Sequence, residues 1–427
     1  MRIFRLLAAT TALTAALSAS RPAALRAQYT VEAIQLLNDV RYLSDDRLSG
    51  RMLGSPGADS AAAFLTRRFT EAGLQASPRG WIQSFVVPMD APAAAQSGVG
   101  GLTGKNVIGV LPGHDPELRN EIVIVGAHYD HLGFGGFGSL DPDSTGRIHN
   151  GADDNASGAA SLIHIATHLA AAPPARTVVF IAFSGEEEGL LGSAFYVKNP
   201  LFPLARTYAM VNLDMVGRLK NDRLIVYGTA TATEFPALLD SLNVTAGFKL
   251  HEQGDGYGPS DQSSFYAAGR PVLHLFTDLH EDYHRTTDDW QKINADGLAK
   301  VADFTTEIVR ALANRPAPLT FVNVAPPSAS KTPAVTPGYG AYLGTVPDMS
   351  DNPGGVRLTG VRAGSPAEKA GLRGEDIITK IGDMAVRDLQ AMTDALRAHK
   401  PGDIVEILIL RNGTEQKLSA TLGTRGG

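Results

Sequence analysis

From Tyr29 to about Arg315 the chain alternates continuous apolar runs with helix-like stretches, and this alternation limits the fold more than any other feature. Strands are expected at Val107–Leu111, Glu121–Ala127, Thr177–Phe183, Ala209–Asp214, Arg223–Tyr227 and Pro271–Phe276. Several of these are unbroken Val/Ile runs, the pattern of strands covered on both faces. Helices are expected between them at Ser157–Ala171, Glu234–Leu242, Ser260–Ala268 and Ala295–Ala313. The alternation predicts an α/β fold: a mostly parallel central sheet with right-handed crossovers and helices on both faces. Ligands of such sheets sit at the carboxyl ends of the strands. With 427 residues, 44% of them hydrophobic and 19% charged, the chain can bury a large core, which excludes a disordered or fibrous protein.

Residues 1–27 read as a signal peptide. Arg2 and Arg5 precede the apolar run Leu6–Leu17, and Leu25-Arg26-Ala27 forms a cleavage site before Gln28. The expectation is export to the periplasm or the extracellular space. The run is shorter than the ~20 residues that span a bilayer, so no stable membrane insertion is expected. Losing the segment's four Arg takes the net charge from −6 to −10, which argues against a nucleic-acid partner. Residues 28–315 form the main domain. Residues 316–337, with six Pro, read as a linker. Residues 338–427 form a small β-rich domain with strands at Val356–Val361, Ile377–Ile381 and Ile404–Arg411 and a helix at Asp388–Ala398. Asn412-Gly413 marks a hairpin into Gln416–Ala420.

Cysteine is absent, so any metal must be held by His, Asp and Glu. Five segments carry such residues, most of them at or just past a strand end: Ala127-His128-Tyr129-Asp130, Gly151-Ala152-Asp153-Asp154-Asn155, Gly185-Glu186-Glu187-Glu188-Gly189, Asn212-Leu213-Asp214 and Asp282-Tyr283-His284. Carboxylates gathered at one end of a sheet repel one another and lose hydration, a conflict that a multivalent cation removes. Imidazole and carboxylate donors without sulfur suit Zn²⁺, with Co²⁺ or Mn²⁺ as substitutes. Two ions ~3.5–4 Å apart would need a bridging carboxylate, terminal ligands and a free base, and the five segments hold enough groups for all of these.

These segments, with Asn155-Ala156-Ser157-Gly158 and Gly189-Leu190-Leu191-Gly192-Ser193 beside them, resemble the M28 family of dizinc exopeptidases over most of Tyr29–Arg315. The resemblance implies that Asp154 bridges two Zn²⁺, that His128 and Asp214 complete one ion, and that Glu187 and His284 complete the other. It implies that Glu186 is the general base and that Asp130 and Asp288 orient His128 and His284. Tyr283 would donate a hydrogen bond to the developing oxyanion. The implied activity is that of an aminopeptidase acting on peptides. A carboxypeptidase or dipeptidase, a glutaminyl cyclase-like enzyme on the same fold and a non-catalytic peptide-binding protein are the alternatives.

Other residues have structural readings. Ser260-Asp261 reads as a helix cap, with Phe265 in the core. His164 and His168, at i and i+4, read as surface histidines. His149, His274 and His280 have no fixed role, and the glycine-rich stretch Gly133–Gly138 reads as a flexible wall of a cleft. In the last domain, Ala341-Tyr342-Leu343-Gly344, Gly364-Ser365-Pro366-Ala367 through Ala370-Gly371-Leu372, and Gly374-Glu375-Asp376-Ile377-Ile378 resemble a PDZ domain. The resemblance implies a groove for peptide C-termini whose carboxylate is captured by the amides of Tyr342, Leu343 and Gly344.

Overall fold

A computed structural model describes residues 30–89, 97–141, 144, 146–257, 260–324, 341–347, 354–361, 364–387, 391–392, 395–396 and 398–423. The expected signal peptide therefore lies outside the described residues, as do residues 325–340 of the linker region and part of the expected helix Asp388–Ala398.

Nine strands form the main sheet: β1 (Gln75–Ala76), β2 (Ile82–Val86), β3 (Thr103–Leu111), β4 (Ile122–His128), β5 (Thr177–Phe183), β6 (Thr207–Leu213), β7 (Arg223–Tyr227), β8 (Lys249–Gln253) and β9 (Val272–Phe276). Their order is β1-β3-β5-β4-β6-β9-β7-β8, with β2 also paired to β3. The central four, β5-β4-β6-β9, run parallel, as the alternation predicts. β3 and β7 flank them antiparallel. All six expected strands are present. The three that the sequence does not reveal, β1, β2 and β8, are short and partly exposed, so they lack a continuous apolar run.

Helices Val31–Leu43, Gly158–Ala170 and Ala295–Asn314 cover one face with a single core that includes Leu36, Val125, Leu162, Val211 and Ile308. Helices Leu191–Lys198 and Gln262–Ala267 cover the other, where Tyr196 and Phe265 meet Ile108, Ile124 and Phe183. Helix Pro56–Glu71, not foreseen from the sequence, starts with Pro at its first position and Ser55 Oγ accepting from Ala58 N.

The first part of the expected linker is not free chain. Tyr266 Oη donates to Val324 O at 2.9 Å and accepts from Val324 N at 2.6 Å, Thr320 N donates to Glu234, and Tyr208 Oη donates to Ala317 O. These backbone groups find partners on the α/β unit, which pins residues 317–324 to it.

The last domain is an antiparallel sheet of β10 (Thr345–Pro347), β11 (Val356–Val361), β12 (Ile377–Ile381), β13 (Met384–Ala385), β14 (Ile404–Arg411) and β15 (Thr414–Thr421). The Asn412-Gly413 hairpin joins β14 to β15 as expected, and Leu343, Leu358, Ile378 and Ile407 lie in a separate core. Among the described residues, no helix is long and apolar enough to cross a membrane.

Candidate metal centre

The parallel strands β4, β5 and β6 end side by side, and each delivers a polar residue to the same place. β4 ends in His128, β5 leads through Ser184-Gly185 to Glu186 and Glu187, and β6 runs into Asp214. The turn before helix Gly158–Ala170 supplies Asp154, and the loop after β9 supplies His284.

His128 Nε2 faces Asp154 Oδ1 and Asp214 Oδ1, each at 3.3 Å, with Glu186 Oε2 at 4.0 Å. His284 Nε2 faces Asp154 Oδ2 at 3.1 Å and Glu187 Oε2 at 3.0 Å. The two oxygens of Asp154 thus point to two separate groups of donors. The five expected ligands come together, with Glu186 at their side.

A residue that sequence reasoning missed stands among them. His131, fully buried, places Nδ1 2.6 Å from Glu187 Oε1 and 4.0 Å from Asp154 Oδ2. Its place three residues after His128 in a loop gave no periodic signal. His128, Asp154 and Asp214 form one group able to hold an ion, and His131, Asp154 and Glu187 form another.

Local bonding explains why Asp154, and not Asp153, faces inward. Asp153 Oδ1 accepts from Gly217 N at 2.7 Å, and Oδ2 faces His280 Nε2 at 3.1 Å. Asn155 closes the turn, with Oδ1 accepting from Gly158 N and Met215 N while Nδ2 donates to Leu213 O. A Cβ at Gly158 would fall 2.3 Å from Asn155 Oδ1, so only glycine allows this approach.

The supporting residues depart from expectation in three places. Asp288 Oδ2 accepts from the backbone N–H groups of Asp153 and Asp154 at 2.9 and 3.1 Å, so it holds the aspartate turn, whereas His284 Nδ1 donates to Gly138 O at 2.8 Å. The glycine-rich stretch is thus what orients His284. Asp130 meets His128 Nδ1 through its backbone carbonyl at 3.3 Å, with its carboxylate at 3.8 Å. That carboxylate also receives the Glu186 and Glu187 N–H groups at 3.4 and 3.5 Å. Asp261 does not cap its helix: its side chain takes no hydrogen bond from the first turn and lies fully buried near the site. Phe265 is in the core as expected.

Tyr283 stacks on His284 with ring centroids 3.8 Å apart, and burial beside Asp154 and Glu187 holds its phenol well above the usual value. It is therefore a neutral hydrogen-bond donor. His164 is almost buried, with Nε2 2.7 Å from Asp303 Oδ1, so it is not the surface histidine expected. His149 binds Ser139 Oγ through Nε2 within the glycine-rich loop, and His274 lies against Asn212.

The electrostatics are those of a site built around positive charge. Burial, Asp214, Glu187 and Asp261 push the Glu186 carboxyl well up, against the pull of His128. Glu187 moves the other way, to about 2, because the imidazoles of His284 and His131 outweigh burial and Asp154. Burial lowers His128, but Asp214, Glu186 and Asp154 overcome it and hold the ring well above its usual pKa. Arg51, fully buried, donates to the carbonyls of Tyr129, Leu43, Asn150 and Gly151. It ties the ends of the β4 and Asp154 loops together and places one fixed cation behind the acids.

Among the buried atoms around the site, His128 Nε2, His131 Nε2 and Asp214 Oδ1 have no hydrogen-bond partner. Orphaned buried donors of this kind fit a cation, and a set of imidazoles and carboxylates fits zinc.

Fold and donor set together define an α/β protein with a candidate metal centre at the carboxyl ends of its parallel strands. Residues 106–309 match the model of peptidase family M28, and residues 341–422 match that of a PDZ domain. Leupeptin-inactivating enzyme 1 of Streptomyces exfoliatus is 29% identical over 311 residues, covering 68% of this chain and 62% of its own. Aminopeptidase YwaD of Bacillus subtilis is 28% identical over 226 residues, covering 48% and 44%. The chain thus spans less than two thirds of the length of these relatives. The fold is similar to that of a zinc aminopeptidase from Bacillus subtilis, with TM-score 0.55 at 19% identity over 67% of this chain and 96% of that one.

In the PDZ domain, Tyr342 N donates to Gly423 O at 2.8 Å. An amide paired this way cannot also capture a carboxylate, so of the expected loop only the Leu343 and Gly344 amides suit that role. Gly344 has φ +83°, and a Cβ there would lie 2.4 Å from Ser365 Cβ.

Proposed function

We propose that the chain is an exported aminopeptidase with two Zn²⁺, releasing N-terminal residues from peptides. The observation that supports it most is the division of Asp154, one oxygen toward His128 and the other toward His284, with a free carboxylate, Glu186, beside it. Asp154 would bridge, His128 and Asp214 would hold one ion, and Glu187 with His284 the other.

Bound there, zinc supplies Lewis acidity for the scissile carbonyl and makes a nucleophile of water at neutral pH. The chain's own groups do the rest. Glu186 takes the proton from the attacking water and returns it to the leaving amine. In metal-free protein, burial and the neighbouring carboxylates raise the Glu186 carboxyl, and positive charge added at the site would bring it back toward a working base. Tyr283, neutral and stacked on His284, donates to the oxygen that gains charge. Asp130 meets His128 through its backbone carbonyl and accepts from the Glu186 and Glu187 N–H groups, so base and ligands share one anchoring residue. The PDZ domain would hold peptide C-termini near the site and raise the local concentration of longer substrates.

The test compares free with N-acetylated peptides on protein of measured zinc content. Cleavage of the free peptide alone is the expected result. Equal cleavage of both, or release of the C-terminal residue, would overturn the aminopeptidase reading.

A further inference from the structure

Away from the paired site, two helices bring together a second set of donors. His164 and His168 are separated by one turn of helix Gly158–Ala170 and share a face, their ring centroids 4.1 Å apart. Asp303, on the neighbouring helix Ala295–Asn314, places Oδ1 2.7 Å from His164 Nε2. One ligand atom from each of the three residues lies within 4.8 Å of the others.

We infer that His164, His168 and Asp303 form a third metal site, for a borderline divalent ion such as Zn²⁺.

The argument rests on donor type, spacing and access. Two imidazoles at i, i+4 and one carboxylate supply three of the four ligands of tetrahedral zinc, leaving a position for water. Ligand atoms ~2.0–2.2 Å from an ion stand roughly 3.3–3.6 Å apart, so the directly bonded His164–Asp303 pair, at 2.7 Å, would open to admit the ion, with His168 adjusting within the 4.8 Å reach of the set. The side chains that would move are free to do so: Asp303 is 62% exposed and His168 is half-buried, while almost buried His164 acts as the fixed point. Arg310 donates to the carbonyls of His168 and Ala172 and pairs with Glu307, so its guanidinium is engaged by these partners. A hard ion such as Mg²⁺ prefers oxygen ligands and is not served by two imidazoles.

The consequence is structural. Helix Gly158–Ala170 begins in the turn that carries Asp154, and His164 lies about 9 Å along it from Gly158. An ion shared with Asp303 fastens this helix to Ala295–Asn314 and stiffens the support of the paired site.

The experiment measures zinc per chain in full-length protein by equilibrium dialysis against buffered Zn²⁺, for wild type, His168→Ala and Asp303→Asn. Both variants should hold one equivalent fewer than wild type, with peptidase activity retained. Zinc at about a hundredfold over its dissociation constant should raise the melting temperature of wild type by about 5 °C more than that of His168→Ala, while Mg²⁺ should leave the two alike. Because the readout is a difference between proteins that share the paired site, it does not depend on how many ions that site takes. Equal zinc content in all three proteins would overturn the inference. Loss of one equivalent in His168→Ala but not in Asp303→Asn would overturn the part given to Asp303.

Discussion

Glu187 is gripped from both sides: His131 Nδ1 stands 2.6 Å from its Oε1, and His284 Nε2 stands 3.0 Å from its Oε2. With an ion on the His284 side, His131 is placed to donate to the other oxygen and lock the carboxylate's orientation. Partners behind a ligand typically contribute 10–100-fold to metal affinity. His131→Gln should therefore weaken zinc binding by about that factor, with kcat close to wild type once zinc is saturating. A zinc titration of activity checks this. If saturating zinc fails to restore turnover, His131 is itself a ligand.

Chelation should abolish peptide hydrolysis, and Zn²⁺ should restore it. Asp154→Ala should lose both ions, because each of its oxygens faces a different group of donors. Asp153→Ala should keep them and lose stability instead, since Asp153 anchors Gly217 N and faces His280. Elemental analysis beside thermal melts separates the two. Equal metal content in wild type and Asp154→Ala would remove the bridge.

Glu186→Gln should keep its metal while kcat drops by ~10²–10⁴, the range of general acid–base catalysis, with KM little changed. Its Oε2 is 4.0 Å from His128 Nε2, farther than the 3.3 Å of Asp154 and Asp214. A variant depleted of zinc would show that Glu186 is a ligand.

Glu188 gives the metal-free protein a predictable response to pH. It is buried, and burial together with Asp130 and Glu187 raises its carboxyl to about 9. Between the unfolded value near 4.5 and about 9, the native state keeps a proton that the unfolded chain releases. Its contribution to stability is therefore full below that window and is lost as pH rises through it. Metal-free protein should melt at a lower temperature at pH 8 than at pH 5, and Glu188→Gln should flatten that slope. An unchanged slope in thermal melts would count against the role of Glu188.

Truncation should respect the docked segment 317–324. Ending the chain after Val324 should preserve zinc and the hydrolysis of short amides, while raising KM for long peptides if the PDZ domain binds their C-termini. Ending it after Arg315 removes the partners of Tyr266, Tyr208 and Glu234, and should lower the melting temperature. Identical melting of the two truncated chains would show that the docked segment adds no stability.

Much of this molecule is decided locally. The Val/Ile runs of β4, β5, β6 and β9 must be covered on both faces, and the helices between them supply that cover, so the strand order along the chain already implies a sheet with its ligands at one end. The histidines and acids just past those strands could be read for the same reason. What the sequence left open is set by contacts between distant segments. Asp153 and Asp154 are adjacent and chemically identical, and only the amide of Gly217 and the imidazole of His280 turn one away and leave the other facing the donors. His131 becomes part of the site because the loop after β5 brings Glu187 to it. Asp288 supports the aspartate turn in place of His284, because the amides of Asp153 and Asp154 are what its carboxylate reaches. In a loop, side-chain direction has no period to read, and it is fixed only when the partner segment, many residues away, packs against it.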